Sequence, residues 1–427
     1  MRVLQSFLCE GGNAPPQLAV LRRLVERGHD VRVLSQPKAR LPVEERGADL
    51  VPFVDTLPGA DFTRPESDPV RDWESRSAVG SGRRFRDGVR DALMPNALET
   101  RRLLDAWAQD GWVPEVAVID ILLLGAIAAA ERSEIPTAAL CHCPYPLPAP
   151  GAPPLGSGLR PARNALGRAR EAFLRRFVVR FNAPLRRTLN DARKELGLEP
   201  LHRYEQGLLG CDALFVMTAP ELDFASRAQL PPNVHYTGPA FERVSDAWAS
   251  PWPAENDDPL VLISFSTTYM NQGAIASRAL EAVAELPVRA LLTTGPALDL
   301  TGVAIPGNTR VVDFVPHAAV LPHAALTVTH AGWATVHASL AAGVPLVCIP
   351  DARDQPDNAA RVVHARAGVR VRKSATTEQL RSAIARVLGD PSFTAGAERM
   401  AQALNRSDGA DAVVDGIERL GSTAESE

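Results

Sequence analysis

Short apolar runs alternate along the chain with segments whose apolar residues have helical spacing. The runs are VLQSF, DVRVLS, VAVID and TAALC in the first half, and LVLISFS, LTVT and VPLVCIP in the second half. After the first run, one helical face carries four aliphatic residues and ends before Gly28, namely Leu18, Leu21, Leu24 and Val25. Buried strands that alternate with helices predict βαβ units on parallel sheets.

The length of the chain indicates that this pattern forms more than one domain. A chain of 427 residues that is 45% hydrophobic is too long for one core and predicts two α/β domains. Residues 241–258 have no period and combine prolines with charges, so they are predicted to be a linker. The first domain then spans residues 1–240 and the second spans 259–400. A C-terminal helix at 401–420 is expected to return to the first domain.

Polar segments of the first domain are predicted to be loops beside a cleft. Residues 55–81 are rich in Pro, Asp and Ser and lack periodicity, which is typical of a mobile loop. The proline-rich segment 144–161 follows the strand TAALC. It is therefore expected at the carboxyl edge of the first sheet, where open α/β sheets bind ligands.

Charge and cysteine usage narrow the class of protein. The net charge of -4 gives no basic bias toward nucleic acid. Residues 163–194 are rich in Arg, for which a solvated helix face is the favoured interpretation and contact with an acidic acceptor or a membrane surface the alternative. The five cysteines form no CxxC pair, which is typical of reduced thiols in the cytoplasm. The longest apolar run, 121–130, is too short for a bilayer, so no membrane span is expected.

Several common catalytic patterns are missing from the sequence. It contains no GxGxxG, GxxxxGK[ST], GxSxG or HExxH pattern, which argues against a dehydrogenase, a kinase, a serine hydrolase and a zinc protease. No two aspartates stand at DxD spacing. We therefore expect no metal site, and the charge of any phosphate group must be met by protein donors.

The segment from residue 311 to residue 371 carries the strongest functional signal. The strand LTVT is followed by the turn HAG, which begins at His330, and by a helical stretch over 333–342. The free N–H groups and the positive dipole end of such a helix favour a diphosphate. The pair Asp354-Gln355 follows the next strand and offers acceptors and donors to sugar hydroxyls. These features predict a nucleotide-sugar site.

This segment resembles the signature of the family 1 glycosyltransferases, the UDP-glycosyltransferase-like enzymes, and especially the actinobacterial members that decorate antibiotics. The matching positions are Phe314, Pro316, His330, Gly332, Trp333, Thr335, Gly343, Pro345, Pro350, Asp354, Gln355 and Asn358. The resemblance implies an α/β fold of the GT-B type, in which two Rossmann-like domains with parallel sheets face each other across a cleft. The second domain would bind the donor and the first domain the acceptor.

The resemblance also implies donor-binding roles. Phe314 would stack on the base, Val315 would bond to it through its backbone, and His330 would meet the diphosphate. The full set of expected donor-binding residues is Thr267, Thr268, Phe314, Val315, His330, Gly332, Trp333, Ala334, Thr335, Asp354 and Gln355. The nucleotide sugar is a co-substrate, and no cofactor or metal is expected.

Ala338 departs from the family pattern, because many members place there a Glu that holds both ribose hydroxyls. Loss of the carboxylate fits a deoxyribose and hence a dTDP-sugar donor, since a buried Glu with one hydroxyl partner would be under-satisfied. The alternative is a ribose whose hydroxyls are bonded by water, in which case a UDP-sugar remains a possible donor.

Asn13 is the second departure, because it stands where the family has the catalytic His, or an Asp in some antibiotic members. An amide cannot accept a proton as a general base. Asp120 matches the carboxylate that supports that His. Three roles for Asp120 stay open: it acts directly as the base, it acts through Asn13 and a water, or it only bonds to the backbone at its strand end. Glu10 and His142 are further catalytic candidates. Without any base, a phenol, or an aromatic carbon beside a phenolate, remains a feasible nucleophile.

The resemblance therefore implies an inverting, metal-independent hexosyltransferase of the cytoplasm. Its partners would be a nucleotide sugar, with dTDP favoured over UDP, and a small hydrophobic natural product, with phenols the expected acceptors. No nucleic-acid partner is expected, and a homodimer is left open. The alternative is a non-catalytic sugar-nucleotide-binding or partner-activating relative that has lost the catalytic His.

Overall fold

Parallel sheets organise the residues that the computed structural model describes, which are 1–75, 77–225, 230–242 and 248–424. The first sheet contains β1 (Arg2–Ser6), β2 (Asp30–Ser35), β3 (Asp49–Pro52), β4 (Val116–Asp120), β5 (Thr137–Cys141), β6 (Ala213–Val216) and β7 (Val234–Tyr236). These strands lie in the order β3-β2-β1-β4-β5-β6-β7.

The second sheet is built in the same way from the later part of the chain. It contains β8 (Leu260–Ser264), β9 (Arg289–Thr293), β10 (Thr309–Val312), β11 (Ala324–Thr329), β12 (Leu346–Cys348) and β13 (Gly368–Arg370), in the order β10-β9-β8-β11-β12-β13. Each strand pairing in the described chain is parallel. The predicted α/β class with two parallel-sheet domains is confirmed.

Helices connect the strands and cover the sheets. They are α1 (Ala14–Glu26), α2 (Arg40–Glu44), α3 (Ala78–Gln109), α4 (Leu124–Arg132), α5 (Ala165–Phe181), α6 (Ala183–Glu195), α7 (Gln206–Leu209), α8 (Gly273–Ala284), α9 (His317–Val320), α10 (Trp333–Ala341), α11 (Gln355–His364), α12 (Thr377–Gly389), α13 (Pro391–Leu404) and α14 (Gly409–Ala424). The helix start at Trp333 and the stop at Gly343 were predicted from sequence, and Gly343 has a φ of 75° that suits glycine at a helix end.

The first sheet buries apolar side chains on both faces, because successive residues of a strand point to opposite sides. Leu4 of β1 lies in one core cluster and the adjacent Val3 lies in the other. The second cluster is completed by α14, whose Val413 and Ile417 are fully buried. The last helix of the chain therefore packs against the first domain, beside α1.

The C-terminal helix differs in its bounds from the expected 401–420. Residues 401–404 belong to α13, and α14 begins only at Gly409. A side chain at Gly409 would place its Cβ 2.2 Å from the Gly238 carbonyl oxygen, so the chain crosses between the domains at a point where only glycine fits. Of the predicted linker, residues 243–247 lie outside the described residues. Trp252, in its described part, is buried against the second domain.

Loops of the first domain reach across the cleft to the second domain. We call residues 53–75 the first cleft loop and residues 142–164 the second cleft loop. In the first, the Phe62 carbonyl accepts a hydrogen bond from the Tyr269 backbone N–H at 2.7 Å. In the second, the Gly156 and Gly158 N–H groups donate to the Asp357 carboxylate at 2.7 and 3.0 Å. The segment 55–81, expected to be a mobile loop, is thus anchored to the opposite domain. The loop ends earlier than predicted because α3 begins at Ala78.

Candidate active site

The turn after β11 forms the centre of the donor side. Ala331 has a φ of 67°, and Gly332 is the N-cap of α10. A Cβ at Gly332 would lie 2.4 Å from His330 Nε2, so glycine lets the imidazole lie against the backbone of the turn. Because glycine has no side chain with which to cap the helix, the N–H groups of the first turn, which includes Ala334 and Thr335, stay available to an anion.

His330 is held as a neutral imidazole. Burial, opposed by a hydrogen bond with the Ser264 backbone and helped by the nearby Arg353 cation, lowers the pKa of His330 to about 4. At neutral pH the ring therefore has one N–H donor and no charge.

Thr267 and Thr268 lie close to this turn because β8 and β11 are neighbours, with Thr329 opposite Ser264 in the parallel register. Thr267 is exposed, whereas Thr268 is buried. The Thr268 hydroxyl lies 3.0 Å from the Ser266 hydroxyl. The predicted threonines therefore face the same edge of the second sheet as His330.

Phe314 follows β10 and has an exposed fraction of 78%, which leaves its ring free to stack on a planar ligand. The next residue, Val315, packs against the same apolar cluster as Ala338 of α10. Trp333, at the start of α10, is buried and packs against His337 with ring centroids 4.2 Å apart and ring planes tilted by 48°. Burial gives Trp333 a packing role, and Phe314 is the aromatic side chain of this pair that a ligand can reach.

Asp354 and Gln355 are fixed by their own loop. Gln355 is buried, and its Oε1 accepts from the backbone N–H groups of Asp351 and Ala352 at 2.9 and 3.3 Å. Asp354 accepts a hydrogen bond from Asn358 Nδ2 at 2.9 Å, and the same nitrogen donates to the Ala331 carbonyl at 2.9 Å. Asn358 thus ties the loop of Asp354 to the turn after β11, a contact that the sequence match alone did not indicate.

On the acceptor side, Asp120 ends β4 and is fully buried. Its Oδ1 accepts from the Leu122 N–H at 2.8 Å, and its Oδ2 accepts from Gln17 Nε2 at 3.1 Å. His142, which follows the neighbouring strand β5, places its Nδ1 3.3 Å from the same Oδ2. Among the described residues Asn13 is not a partner of Asp120, so the structure pairs the carboxylate with His142 instead.

The charge of His142 is governed by this pairing. Burial lowers the pKa of His142, but the charge and hydrogen bond of Asp120, together with Cys143 and Asp354, outweigh that effect and raise the pKa to about 9. The contribution of Asp354 means that this carboxylate of the second domain lies close enough to act on His142. His142 is therefore a cation at neutral pH and a strong base when neutral.

The other acceptor-side candidates have different surroundings. Glu10 is buried, pairs with Lys38 and accepts from Gln36 Nε2 at 2.7 Å. Burial raises the pKa of Glu10, although Lys38 and Gln36 oppose the shift. Asn13 closes a short 3-10 turn that touches the donor side, because a Cβ on its neighbour Gly12 would lie 3.3 Å from the Ala334 Cβ. The site therefore brings Asn13 next to α10, while Glu10 is occupied elsewhere.

An ion pair that crosses the cleft was not predicted. Arg353 Nε and Nη2 donate to the Asp72 carboxylate at 2.9 Å each. No pattern in the sequence indicated this contact, because Asp72 lies in a loop without periodicity.

Across the described residues, no group of three or more His, Cys, Asp or Glu is placed to hold a metal ion. In the same part of the chain, no helix combines the length and apolar character that a bilayer crossing requires.

The fold and site define a GT-B glycosyltransferase. Residues 277–420 match the family described as erythromycin biosynthesis protein CIII-like, C-terminal domain. The 4'-demethylrebeccamycin synthase of Lentzea aerocolonigenes is 30% identical over 426 residues, which cover 98% of each chain. The chain belongs to the glycosyltransferase family of actinobacterial antibiotic pathways.

Solved structures agree with this assignment at the level of the fold. The kitacinnamycin glycotransferase has a TM-score of 0.74 at 23% identity, over 98% of both chains. The glycosyltransferase VinC in complex with dTDP has a TM-score of 0.68 at 19% identity, over 99% of this chain and 100% of its own. The GT-B arrangement implied by the sequence is confirmed.

Proposed function

We propose that the protein is an inverting, metal-independent glycosyltransferase that moves a hexose from a dTDP-sugar to a phenolic natural product. The observation that carries the proposal is the pairing of His142 with Asp120 at the edge of the first sheet, within electrostatic reach of Asp354. This pair supplies a histidine and a carboxylate to the site, although Asn13 stands where the family has its catalytic His. A natural-product acceptor is supported by the similarity to the 4'-demethylrebeccamycin synthase of Lentzea aerocolonigenes.

The donor proposal rests on the surroundings of the ribose position. Ala338 packs beside Val315 and presents only a methyl group where a carboxylate would hold two ribose hydroxyls. A deoxyribose needs fewer acceptors, so dTDP fits this position better than UDP. VinC, a structural relative, was crystallised with dTDP.

In the proposed mechanism the acceptor hydroxyl gives its proton to His142 Nε2, because Nδ1 faces Asp120. The oxygen then forms a bond to the anomeric carbon as the bond from that carbon to the diphosphate oxygen breaks on the opposite face. The electron pair of the broken bond leaves with the diphosphate. Its charge is met by the threonine hydroxyls, the N-terminus of α10 and the single His330 N–H, which turns from the Ser264 carbonyl to a diphosphate oxygen.

The basicity of His142 explains the preference for phenols. A phenol has a pKa near 10, close to the value of about 9 for His142, so proton transfer between them is nearly balanced. An aliphatic alcohol loses its proton far less readily. The proposed acceptors are therefore phenolic or enolic.

The test is transfer by the native protein from dTDP-sugars and UDP-sugars to phenols and aliphatic alcohols, followed by mass spectrometry. We expect products from phenols, an inverted anomeric centre by NMR, and undiminished activity in excess EDTA. Loss of activity that Mg²⁺ or Mn²⁺ restores would contradict metal independence. Binding of sugar nucleotides without transfer to any acceptor would favour the non-catalytic alternative that Asn13 suggests.

A further inference from the structure

Arg353, which directly precedes Asp354, carries a charge that the donor site described above does not use. Its Nε and Nη2 donate to Asp72, and its Nη1 donates to the Thr268 hydroxyl at 3.1 Å. The Asp72 side chain is fully buried, and that of Arg353 is 20% exposed. The pair therefore joins the first cleft loop to the donor side in a setting that water reaches only partly.

The guanidinium lies at the expected diphosphate position. Thr268, which it contacts, is one of the threonines assigned to the diphosphate, and Arg353 is also close enough to His330 to disfavour a second positive charge there. Nη1 and Nη2 each carry two N–H groups. Among the described residues, the contacts to Thr268 and Asp72 use only one N–H group on each of these nitrogens.

The backbone of Arg353 has a φ of 57°, in the left-handed region that non-glycine residues rarely adopt. Such conformations persist where the surroundings fix them, and they are frequent at ligand sites. Here the surroundings include Asp72 and Thr268, which both accept hydrogen bonds from the Arg353 side chain.

We propose that Arg353 is a diphosphate-binding residue of the donor site and that Asp72 is an anion with which the diphosphate shares its guanidinium. The proposal rests on the proposed nucleotide-sugar function. The remaining N–H groups of Arg353 would supply charge-assisted hydrogen bonds to the diphosphate oxygens. Asp72 bonds to the same guanidinium across the cleft and opposes the diphosphate through its charge, so the first cleft loop and the donor share one cation.

The proposal predicts opposite effects on nucleotide binding for the two members of the pair. Arg353→Gln should weaken dTDP binding roughly 10- to 100-fold and leave thymidine binding unchanged, because thymidine has no phosphate. Asp72→Asn should tighten dTDP binding roughly 3- to 10-fold, because it removes an anion that opposes the diphosphate. Calorimetry with dTDP, UDP and thymidine measures both effects. Arg399→Gln, which removes an exposed charge from α13, is the matched control.

The outcomes separate this proposal from a purely structural role. If Arg353 only fixes the loop, both variants should change dTDP binding in the same direction, and the proposal is overturned. Unchanged dTDP binding by Arg353→Gln also overturns it. If that variant does not fold in a thermal melt, Arg353→Lys should still show weakened dTDP binding with normal thymidine binding. The tighter dTDP binding expected of Asp72→Asn is measured independently of both. A native protein that binds neither dTDP nor UDP would remove the proposed function as well.

Discussion

The pairing of His142 with Asp120 predicts that transfer to a phenol accelerates with pH until His142 loses its proton. With a pKa of about 9, only about 1% of His142 is neutral at pH 7 and able to accept a proton. The value of kcat/KM should therefore rise roughly tenfold per pH unit above pH 7 and level off near the pKa of His142.

Removal of the carboxylate is the informative perturbation. In Asp120→Asn, burial acts on His142 without the charge that mainly opposes it, so the pKa should fall and the rise above neutral pH should disappear. His142→Gln should lower the plateau roughly 100- to 10,000-fold, the usual contribution of a general base. His202→Gln changes an exposed histidine of the same domain and should leave the profile intact.

The same pair should make stability depend on pH. A histidine whose pKa rises from 6.5 to about 9 on folding stabilises the protein by roughly 3 kcal/mol. Because the pKa is raised in the folded state, this stabilisation is complete below pH 6.5 and is lost as the pH rises through 9. Urea unfolding at both ends of that range should show the loss in the native protein and a smaller loss in Asp120→Asn.

The assay compares initial rates across this pH range for phenols of different pKa, with a dTDP-sugar as donor. An inflection near 9 for every phenol supports proton transfer to His142. An inflection that follows the pKa of the phenol means that the acceptor ionises in solution. That result, or a His142→Gln variant with the native profile, would refute the role given to His142.

Further predictions concern the donor. His330→Ala removes a neutral N–H donor and should lower turnover roughly 100-fold or more without unfolding the chain; steady-state rates and a thermal melt check both, and near-normal turnover would contradict the assignment. Ala338→Glu should shift the preference from dTDP toward UDP by about 1 kcal/mol, the scale of one hydrogen bond. Calorimetry on both proteins decides it, and equal binding of the two nucleotides by the native chain would leave the deoxyribose argument without support.

Much of the fold could be predicted from the sequence because its signals are local. Each buried strand is a short apolar run, and the donor turn combines a strand, the residues HAG and a helix within a few positions. The expected bounds of the C-terminal helix, 401–420, are wrong because they depend on a contact that is not local. The break at residues 405–408 depends on Gly409 meeting Gly238, which is distant in sequence.

The acceptor side could be predicted only in part, because it depends on contacts between segments far apart in the chain. Asp120 ends β4 and His142 follows the neighbouring strand β5, so their positions in the sequence indicate that both lie at one edge of the sheet. The contact between Asp72 and Arg353 had no such signal, since a polar loop gives no register. Parallel sheets therefore reveal which side chains share an edge, but loops that cross the cleft do not.

The segments that cross between the domains have a consequence for the construction of hybrid enzymes. Near Gly238 and Gly409 the two crossing segments touch, with the Ser407 hydroxyl donating to the Thr237 carbonyl at 2.8 Å and the Gly409 N–H donating to the Pro239 carbonyl at 3.2 Å. Exchanging acceptor halves at the 241–258 linker alone would leave a foreign α14 on the new sheet, where Val413 and Ile417 must fit a different apolar surface. A functional chimera has to take residues 409–424 from the same parent as residues 1–240, so the modular unit of this protein is discontinuous in sequence.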